Sequence, residues 1–212
     1  MSATNPRRIL VILFATALAG WINTATAVAQ TPLLFVEAYN RLLEEKEVAV
    51  SVDYRIEGRI SSIAPNLLKL QKCSQIFRPA KGKTFGKPPS KRGVVELFGR
   101  LQVVDRKRVI VVSSIRFLDD DSAMYELKRK ALRRNMPDDW YRLARWAGRR
   151  AEFYDDDQLR KQTIEANRHG VELQRKQLTD VNPATLLALA KRATDLRLPD
   201  GIRQQYVHQA HR

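Results

Sequence analysis

The chain has 212 residues, of which 44% are hydrophobic and 29% charged, and an excess of lysine and arginine gives it a formal net charge of +15. This length suffices for one domain or two small ones, and the single cysteine excludes an internal disulfide bond. The positive excess attracts anionic partners, whether nucleic acid, anionic lipid headgroups or acidic polysaccharide, without selecting among them.

Residues 1–29 have the three regions of a secretory signal peptide. Arg7 and Arg8 precede an uncharged apolar core, Ile9–Ile22, and small residues ending with Ala29 follow. The core has about 14 residues, whereas a membrane-spanning helix needs roughly 20. We therefore expect cleavage between Ala29 and Gln30 and an exported protein, periplasmic or extracellular, with an uncleaved N-terminal membrane anchor as the alternative.

Residues 30–47 are predicted to contain an N-terminal helix, because apolar side chains recur at three- and four-residue spacing from Leu33 to Lys46. The pattern changes at Val48, where apolar and polar residues begin to alternate, and the alternation ends near Gly58–Ile60. A period of two indicates a half-buried strand, the first strand of a β domain that we place at residues 48–118.

Four further strands are predicted in this domain: Leu67–Cys73, Ile76–Phe77, Val94–Val104 and Val109–Leu118. The polar segment Asp105–Arg108 suits a hairpin turn between the last two strands. Cys73 lies in an apolar strand and is interpreted as a small buried residue. A thiol that pairs between chains and a catalytic thiolate are the alternatives.

Residues 81–92 are predicted to form a mobile basic loop, because two glycines and two prolines among five cations exclude a helix or a strand. We expect Phe85 to be exposed beside the lysines of this loop. Tyr54 and Phe98 lie in alternating strands and are expected to fill the core. The candidate residues for an anionic ligand are Phe85 and the cations of the loop and the next turn: Lys81, Lys83, Lys87, Lys91, Arg92, Arg106, Lys107 and Arg108.

Five predicted strands, with Gly58 and Gly99 where a barrel strand would bend, indicate a small closed barrel. The segments Tyr54–Ile60 and Val94–Leu101 resemble the bacterial OB-fold group. The resemblance covers residues 52–118 and implies an OB-like β-barrel. In such a barrel a nucleic-acid site would need exposed aromatic side chains beside the basic loops, because bases bind by stacking.

The chain is predicted to be helical from Asp119 to its end. The fold class is therefore α+β: a small OB-like β-barrel followed by α-helical hairpin repeats in residues 119–212. Asp119–Asp121 and Asp155–Asp157 are interpreted as helix starts, because negative charge stabilises a first turn and neither triplet has the spacing of a calcium-binding EF-hand. Pro137 is expected near the first position of another helix.

A repeat within the helical region is the most specific signal after the signal peptide. Trp140–Ala147 matches Leu186–Ala193 at an offset of 46 residues, and Leu159–Ile164 matches Ile202–Val207 at an offset of 43. The three-residue difference falls in a connecting turn, where insertions are tolerated. The repeat predicts two helix-turn-helix units.

The spacing Trp-x-x-Leu-Ala at the start of the repeat is similar to the first helix of tetratricopeptide-like repeats. The period is longer than in that family, and the family's later marks do not fall in register. The resemblance therefore implies only the shape of a helical hairpin. Two hairpins rarely suffice alone, so we expect them to pack on the Asp121–Arg134 helix or on the barrel.

No motif in the sequence indicates catalysis. His169, His208 and His211 are not beside a candidate nucleophile, and the last two lie at the chain end, where helices fray. The sequence has no glycine-rich phosphate loop, no Gly-x-Ser-x-Gly and no His-Glu-x-x-His. We expect no catalytic residue, no metal and no cofactor, and we keep an enzyme with dispersed catalytic residues as an alternative.

These observations favour a non-enzymatic binding or scaffold protein that acts outside the cytoplasm. Its helical hairpins would bind a partner protein, and its basic loop would add charge attraction. A polyanion binder that uses the barrel for single-stranded nucleic acid or acidic glycan is the alternative. The expected partners are another protein or an anionic envelope component. Nucleic acid is less favoured, and a membrane would be contacted only through surface charge or an uncleaved signal.

Overall fold

The computed structural model describes residues 31–45, 47–89, 93–104 and 106–212. The predicted signal peptide with its cleavage site at Ala29 and Gln30 lies outside the described residues, as do the loop cations Lys91 and Arg92. The chain from Thr31 onward belongs to one compact unit that contains both the strands and the helices.

Six strands form one sheet: β1 Leu33–Phe35, β2 Asp53–Ala64, β3 Leu67–Leu70, β4 Ile76–Pro79, β5 Val94–Val104 and β6 Lys107–Leu118. Their order is β1-β2-β3-β4-β6-β5, and β5 also pairs with β2, which closes β2 to β6 into a five-stranded barrel. β4 runs parallel to β6, and the other barrel neighbours are antiparallel. The predicted α+β fold, a small barrel followed by helices, is confirmed.

The barrel encloses one hydrophobic core, to which β2 contributes alternate residues. Gly58 belongs to the inward series, and a Cβ atom at this position would lie 2.4 Å from Cγ2 of Val36. A Cβ atom at Gly99 would lie 2.6 Å from the carbonyl oxygen of Val111, beside the register shift between β5 and β6. Both glycines permit a close approach that any larger residue would prevent.

The N-terminal helix is shorter than predicted. Leu33–Phe35 form β1, which pairs in parallel with Arg55–Glu57 of β2, and helix α1 spans Val36–Glu44. Pairing with β2 gives the first three residues backbone hydrogen-bond partners, so tertiary contacts override the helical periodicity there.

Strand boundaries differ from the prediction mainly at turns. The alternation that begins at Val48 is interrupted by Ser51, whose φ of 66° is left-handed, and β2 begins at Asp53. β5 has the predicted bounds. β6 begins earlier than predicted, so Lys107 and Arg108 belong to the strand and not to the turn.

The prediction that Phe85 is exposed is wrong. Residues 80–89 contain no helix or strand, as expected, but the Phe85 side chain is only 7% exposed and belongs to the barrel core. Its backbone N–H donates a hydrogen bond to the Pro65 carbonyl oxygen (2.9 Å), which fixes this part of the loop against the β2–β3 turn. Burial of the Phe85 ring in the barrel core is more favourable in free energy than its exposure to water beside the lysines.

Two other core predictions are corrected. Tyr54 is buried as expected, whereas Phe98 is only half-buried, because Leu97 and Leu101 take the inward positions of β5 and leave Phe98 on the opposite face. The strand predicted to reach Cys73 ends at Leu70, so Cys73 lies after β3, where it is half-buried rather than fully buried and packs against the barrel core as a free thiol.

Five helices follow the barrel: α2 Asp121–Lys130, α3 Pro137–Tyr154, α4 Asp157–Lys176, α5 Pro183–Asp195 and α6 Asp200–Ala210. The aspartate triplets mark helix starts, as predicted. Asp120 accepts a hydrogen bond from the backbone N–H of Ala123 at the start of α2, and Asp156 accepts one from Leu159 at the start of α4. Pro137 is the first residue of α3, and α2 ends four residues before the predicted Arg134.

The two predicted helix-turn-helix units are α3 with α4 and α5 with α6. In the first unit, Leu143 and Ala147 pack with Leu159 of α4 and with Tyr125 of α2. In the second, the equivalent positions of α5 pack with Tyr206 of α6 in a separate cluster. Along the described ranges, no helix combines the length and the apolar composition needed to cross a membrane.

Candidate functional site

A concave basic surface of the helical region lies between the first half of α3 and the end of α5. We call it the arginine groove. Its volume is about 630 Å³, and it is lined by Arg133, Met136, Asp138, Tyr141, Arg142, Arg145, Arg192, Asp195 and Leu196. The α3 members are spaced three and four residues apart, which places them on one face of the helix.

Two of the groove arginines are held by one carboxylate. Arg133 Nε donates to Asp139 Oδ2 and Arg133 Nη2 to Oδ1, both at 2.9 Å, and Arg142 pairs with the same carboxylate. The Arg133 hydrogen bond is the main reason that the pKa of Asp139 lies well below its ordinary range. Because two guanidinium groups share one negative charge, this cluster keeps a net positive charge.

The other two groove arginines are not neutralised by an ion pair. Arg145 is exposed and has no ion-pair or hydrogen-bond partner among the residues that the structure describes. The Arg192 guanidinium carbon lies 5.4 Å from the centre of the Tyr141 ring, a cation–π contact. The Tyr141 hydroxyl donates to Gln174 Oε1 (3.0 Å), and burial raises the pKa of Tyr141. The groove therefore presents two available cations on a rigid tyrosine support.

No protein-family model matches the chain, and no curated protein matches it.

A second basic concavity lies on the barrel, and it contains part of the predicted site. We call it the barrel cleft. Its volume is about 470 Å³, and it is lined by Asn66, Leu67, Arg78, Pro79, Ala80, Lys81, Gly82 and Lys83. Gly82 has a φ of 77°, the left-handed conformation that a glycine adopts readily, and Lys83 Nζ donates to the Ser113 carbonyl oxygen (2.9 Å).

The structure does not bring the predicted anion-binding residues into one site. Of those that the structure describes, only Lys81 and Lys83 line the barrel cleft. Lys87 is exposed elsewhere in the loop, while Arg106, Lys107 and Arg108 are exposed at the end of the β5–β6 hairpin. Arg78 joins the cleft because it follows the inward Phe77 and so faces outward, a signal that the alternation of β4 could have provided.

Sequence reasoning missed a network of charged residues between the barrel and the first hairpin. Asp121 pairs with both Arg59 and Arg150, at 2.5 Å each. Arg59 Nη2 also contacts Asp156 at 2.7 Å, and Arg150 Nη1 contacts Glu57 at 2.9 Å. We call these five residues the junction network.

The junction network is largely shielded from water. Arg150 is 7% exposed, and burial raises the pKa of Glu57 above its ordinary value even though Arg150 opposes the shift. The Tyr154 hydroxyl accepts a hydrogen bond from the Arg59 backbone N–H at 3.3 Å. Each charge has an opposite partner, so the arrangement holds the barrel against the first hairpin.

The other candidate functional residues are the histidines, the cysteine and the acidic side chains. Across the described part of the chain, no cluster of three or more histidine, cysteine, aspartate or glutamate side chains could hold a metal ion. His169 packs against the Trp140 ring, with the ring centres 4.1 Å apart. Burial raises the pKa of the Cys73 thiol, which lowers its fraction of reactive thiolate.

Proposed function

We propose that this protein is an exported, non-enzymatic binding protein that holds an acidic segment of a partner protein in the arginine groove. The observation that supports the proposal is the pair Arg145 and Arg192, which lie in a groove of about 630 Å³ between two helical hairpins and have no carboxylate partner among the residues that the structure describes. Export is supported by the arrangement of charged, apolar and small residues at the start of the sequence.

A protein segment suits this groove better than a uniform polyanion does. Asp138 and Asp195 also line the groove, and they would repel a chain that carries a negative charge at every unit. A peptide can place its carboxylates opposite Arg145 and Arg192 and neutral side chains elsewhere. Guanidinium groups bind carboxylates through two parallel hydrogen bonds, which adds geometric selectivity.

The test measures binding of the chain from Gln30 to Arg212 to a labelled twelve-residue peptide of alternating Glu and Leu, by fluorescence anisotropy. Arg145→Gln with Arg192→Gln should weaken binding by about tenfold or more, because two charge-assisted contacts are lost. Lys81→Gln with Lys83→Gln removes the same charge from the barrel cleft and should change the affinity by less than about twofold. Equal losses in the two double variants would refute the groove as the site.

The barrel cleft supports a second candidate function, the binding of an acidic glycan. Two lysines, Lys81 and Lys83, line the cleft and can contact an anionic ligand. The aromatic rings of Tyr54, Phe77 and Phe85 are in the core and are not available for base stacking, which favours a glycan over single-stranded nucleic acid. A heparin-derived octasaccharide should bind with a steep dependence on salt and lose affinity in the Lys81→Gln, Lys83→Gln variant. Retention of affinity in that variant would exclude this function.

A further inference from the structure

A small pocket with aromatic walls lies between α1 and the second half of α3. We call it the aromatic pocket. Its volume is about 230 Å³, and it is lined by Phe35, Val36, Glu37, Ala38, Arg41, Trp146, Arg149, Arg150, Phe153 and Tyr154. It shares no lining residue with the arginine groove or the barrel cleft.

Four aromatic side chains, those of Phe35, Trp146, Phe153 and Tyr154, line the pocket. Phe153 and Tyr154 meet edge to face, with ring centres 4.8 Å apart. Phe35 stays 39% exposed although it is a large apolar side chain, because it ends β1 at the pocket rather than inside the barrel. Rings in this arrangement pack well against a planar ligand, since faces and edges carry opposite partial charges.

Of the three arginines at the pocket, Arg149 supplies the positive charge, since Arg41 pairs with Glu37 and Arg150 pairs with Glu57 and Asp121. Arg149 is exposed and has no ion-pair or hydrogen-bond partner within the described ranges. Arg41 contacts Glu37 at 3.5 Å, a long distance for a pair that is open to solvent. Arg150 is buried, and its Nη2 has no hydrogen-bond partner in the described chain. Its guanidinium carbon lies 5.5 Å from the Phe35 ring centre. A ligand with one negative charge should therefore bind beside these arginines better than a neutral ligand.

We propose that the aromatic pocket binds a small organic anion with a planar aromatic body, its rings against Phe35 and Trp146 and its carboxylate at Arg149. The volume admits a ligand of about a dozen non-hydrogen atoms and excludes a helix or an oligosaccharide. The cations at the pocket select an acid over a neutral compound of the same shape. This site is separate from the groove of the proposed function, so either can exist without the other.

The probe is 2-naphthoate, and 2-naphthylmethanol serves as a neutral ligand of nearly the same shape. Calorimetric titration of the chain from Gln30 onward should show one site for naphthoate and at least tenfold weaker binding of the alcohol, which lacks the charge-assisted contact. Octanoate should also bind more weakly, because a flexible chain makes poorer contact with rings. Equal affinity for all three compounds, or no naphthoate binding at 1 mM probe, overturns the proposal.

Matched variants locate the site on α3. Arg149→Gln should weaken naphthoate binding about tenfold, whereas Arg145→Gln, an exposed arginine one turn away that lines the arginine groove, should leave it within about twofold. Ala38→Leu adds volume inside the pocket and should abolish binding without removing a charge. Circular dichroism confirms that each variant is folded. Equal losses in the Arg149 and Arg145 variants would show nonspecific charge attraction and reject the pocket.

Discussion

The two helical hairpins share a sequence repeat, but their turns make different contacts. The turn of the first hairpin contacts the barrel: Phe153 packs on the barrel core, Asp155 pairs with Lys72, and Asp156 pairs with Arg59. The described contacts of the second turn are with helices instead. Leu198 packs in a cluster of α5 and α6 that also contains Tyr141 of α3 and Val171 of α4, Pro199 precedes α6 without a side-chain cap, and Asp200 pairs with Arg203 in the same helix.

The prediction that the length difference between the repeats falls in the turn is wrong. The matched segments are offset by 46 residues before the turn and by 43 after it, because α3 continues to Tyr154, seven residues past Ala147, whereas α5 ends at Asp195, two residues past Ala193. The first turn is the shorter one, yet its Asp155 and Asp156 reach the barrel, and the second turn has no ion pair with the barrel among the described residues. A repeated hairpin has therefore become a docking element in one copy through its turn, while its helix faces kept the same pattern.

Replacement of Arg150, the cation at the centre of the junction network, should lower the free energy of unfolding most. Arg150→Met leaves Glu57 without its ion-pair partner and Asp121 with Arg59 alone. We expect the free energy of unfolding, measured with urea, to fall by about 3–5 kcal/mol, as for other broken buried pairs. The double variant Arg150→Met, Glu57→Gln should recover part of the loss, because the unpaired carboxylate is then absent. A change below about 1 kcal/mol in the single variant would show that the network does not hold the two regions together.

A matched pair of leucines tests whether the second hairpin is independent of the barrel. Leu143 and Leu189 occupy equivalent repeat positions, and both are buried. Leu189→Ala should cost about 3 kcal/mol and lower hydrogen-exchange protection most in α5 and α6, because a cavity opens in the cluster that they form with Tyr141 and Val171. Leu143→Ala should lower protection in α2 to α4 instead. An identical exchange pattern in both variants would mean that the helical region unfolds as one unit.

The fold was largely predictable because its signals are local and periodic. β5 matches its predicted bounds, Pro137 begins a helix, and the aspartate triplets cap helices, since each depends on residues close in sequence. The prediction that Phe85 is exposed was wrong for the opposite reason. Its position is decided by contact with the β2–β3 turn, about twenty residues away, and the composition of the loop carries no information about that contact.

The candidate sites were less predictable. The basic clusters were visible in the sequence, but their assembly depends on which helices pack together, and Arg145 and Arg192 are 47 residues apart. The junction network joins Arg59 to Asp156 across 97 residues. Nothing in the alternation of β2 marks Glu57 or Arg59 as partners of a helix, because an outward charged residue usually faces water.

A smaller, pH-dependent effect should distinguish the two functions of Asp156. Asp156→Asn keeps an acceptor for the Leu159 N–H but removes the charge that pairs with Arg59. Burial alone would raise the pKa of Asp156, but the hydrogen bonds from the Leu159 N–H and from Arg59 lower it below its ordinary value. The folded-state pKa is therefore below the unfolded value of about 4, so the ion pair stabilises fully above that pH, and its contribution is lost as the pH falls through the folded pKa.

The wild type should therefore exceed the Asn variant in free energy of unfolding by about 1 kcal/mol at pH 7, a modest value because the pair is partly exposed. Urea titrations should show the difference narrowing below a pH of about 4. Glu57 is present in both proteins, so its own titration cancels in the comparison. A difference that is constant from pH 7 to pH 3 would mean that Asp156 acts only as a helix cap.

The smallest effect is expected at the exposed end of the same turn. Asp155 pairs with Lys72 at 2.5 Å, but both side chains are open to water, so their attraction is screened and offset by the entropy of ordering them. Asp155 also has a φ of 53°, a left-handed conformation that asparagine tolerates well. Asp155→Asn should therefore shift Tm by less than about 2 °C, as should Asp200→Asn in the second hairpin. If Asp155→Asn lowers Tm several degrees more than Asp200→Asn, the outer pair contributes to docking as well, and the contact between the first hairpin and the barrel extends beyond the buried network.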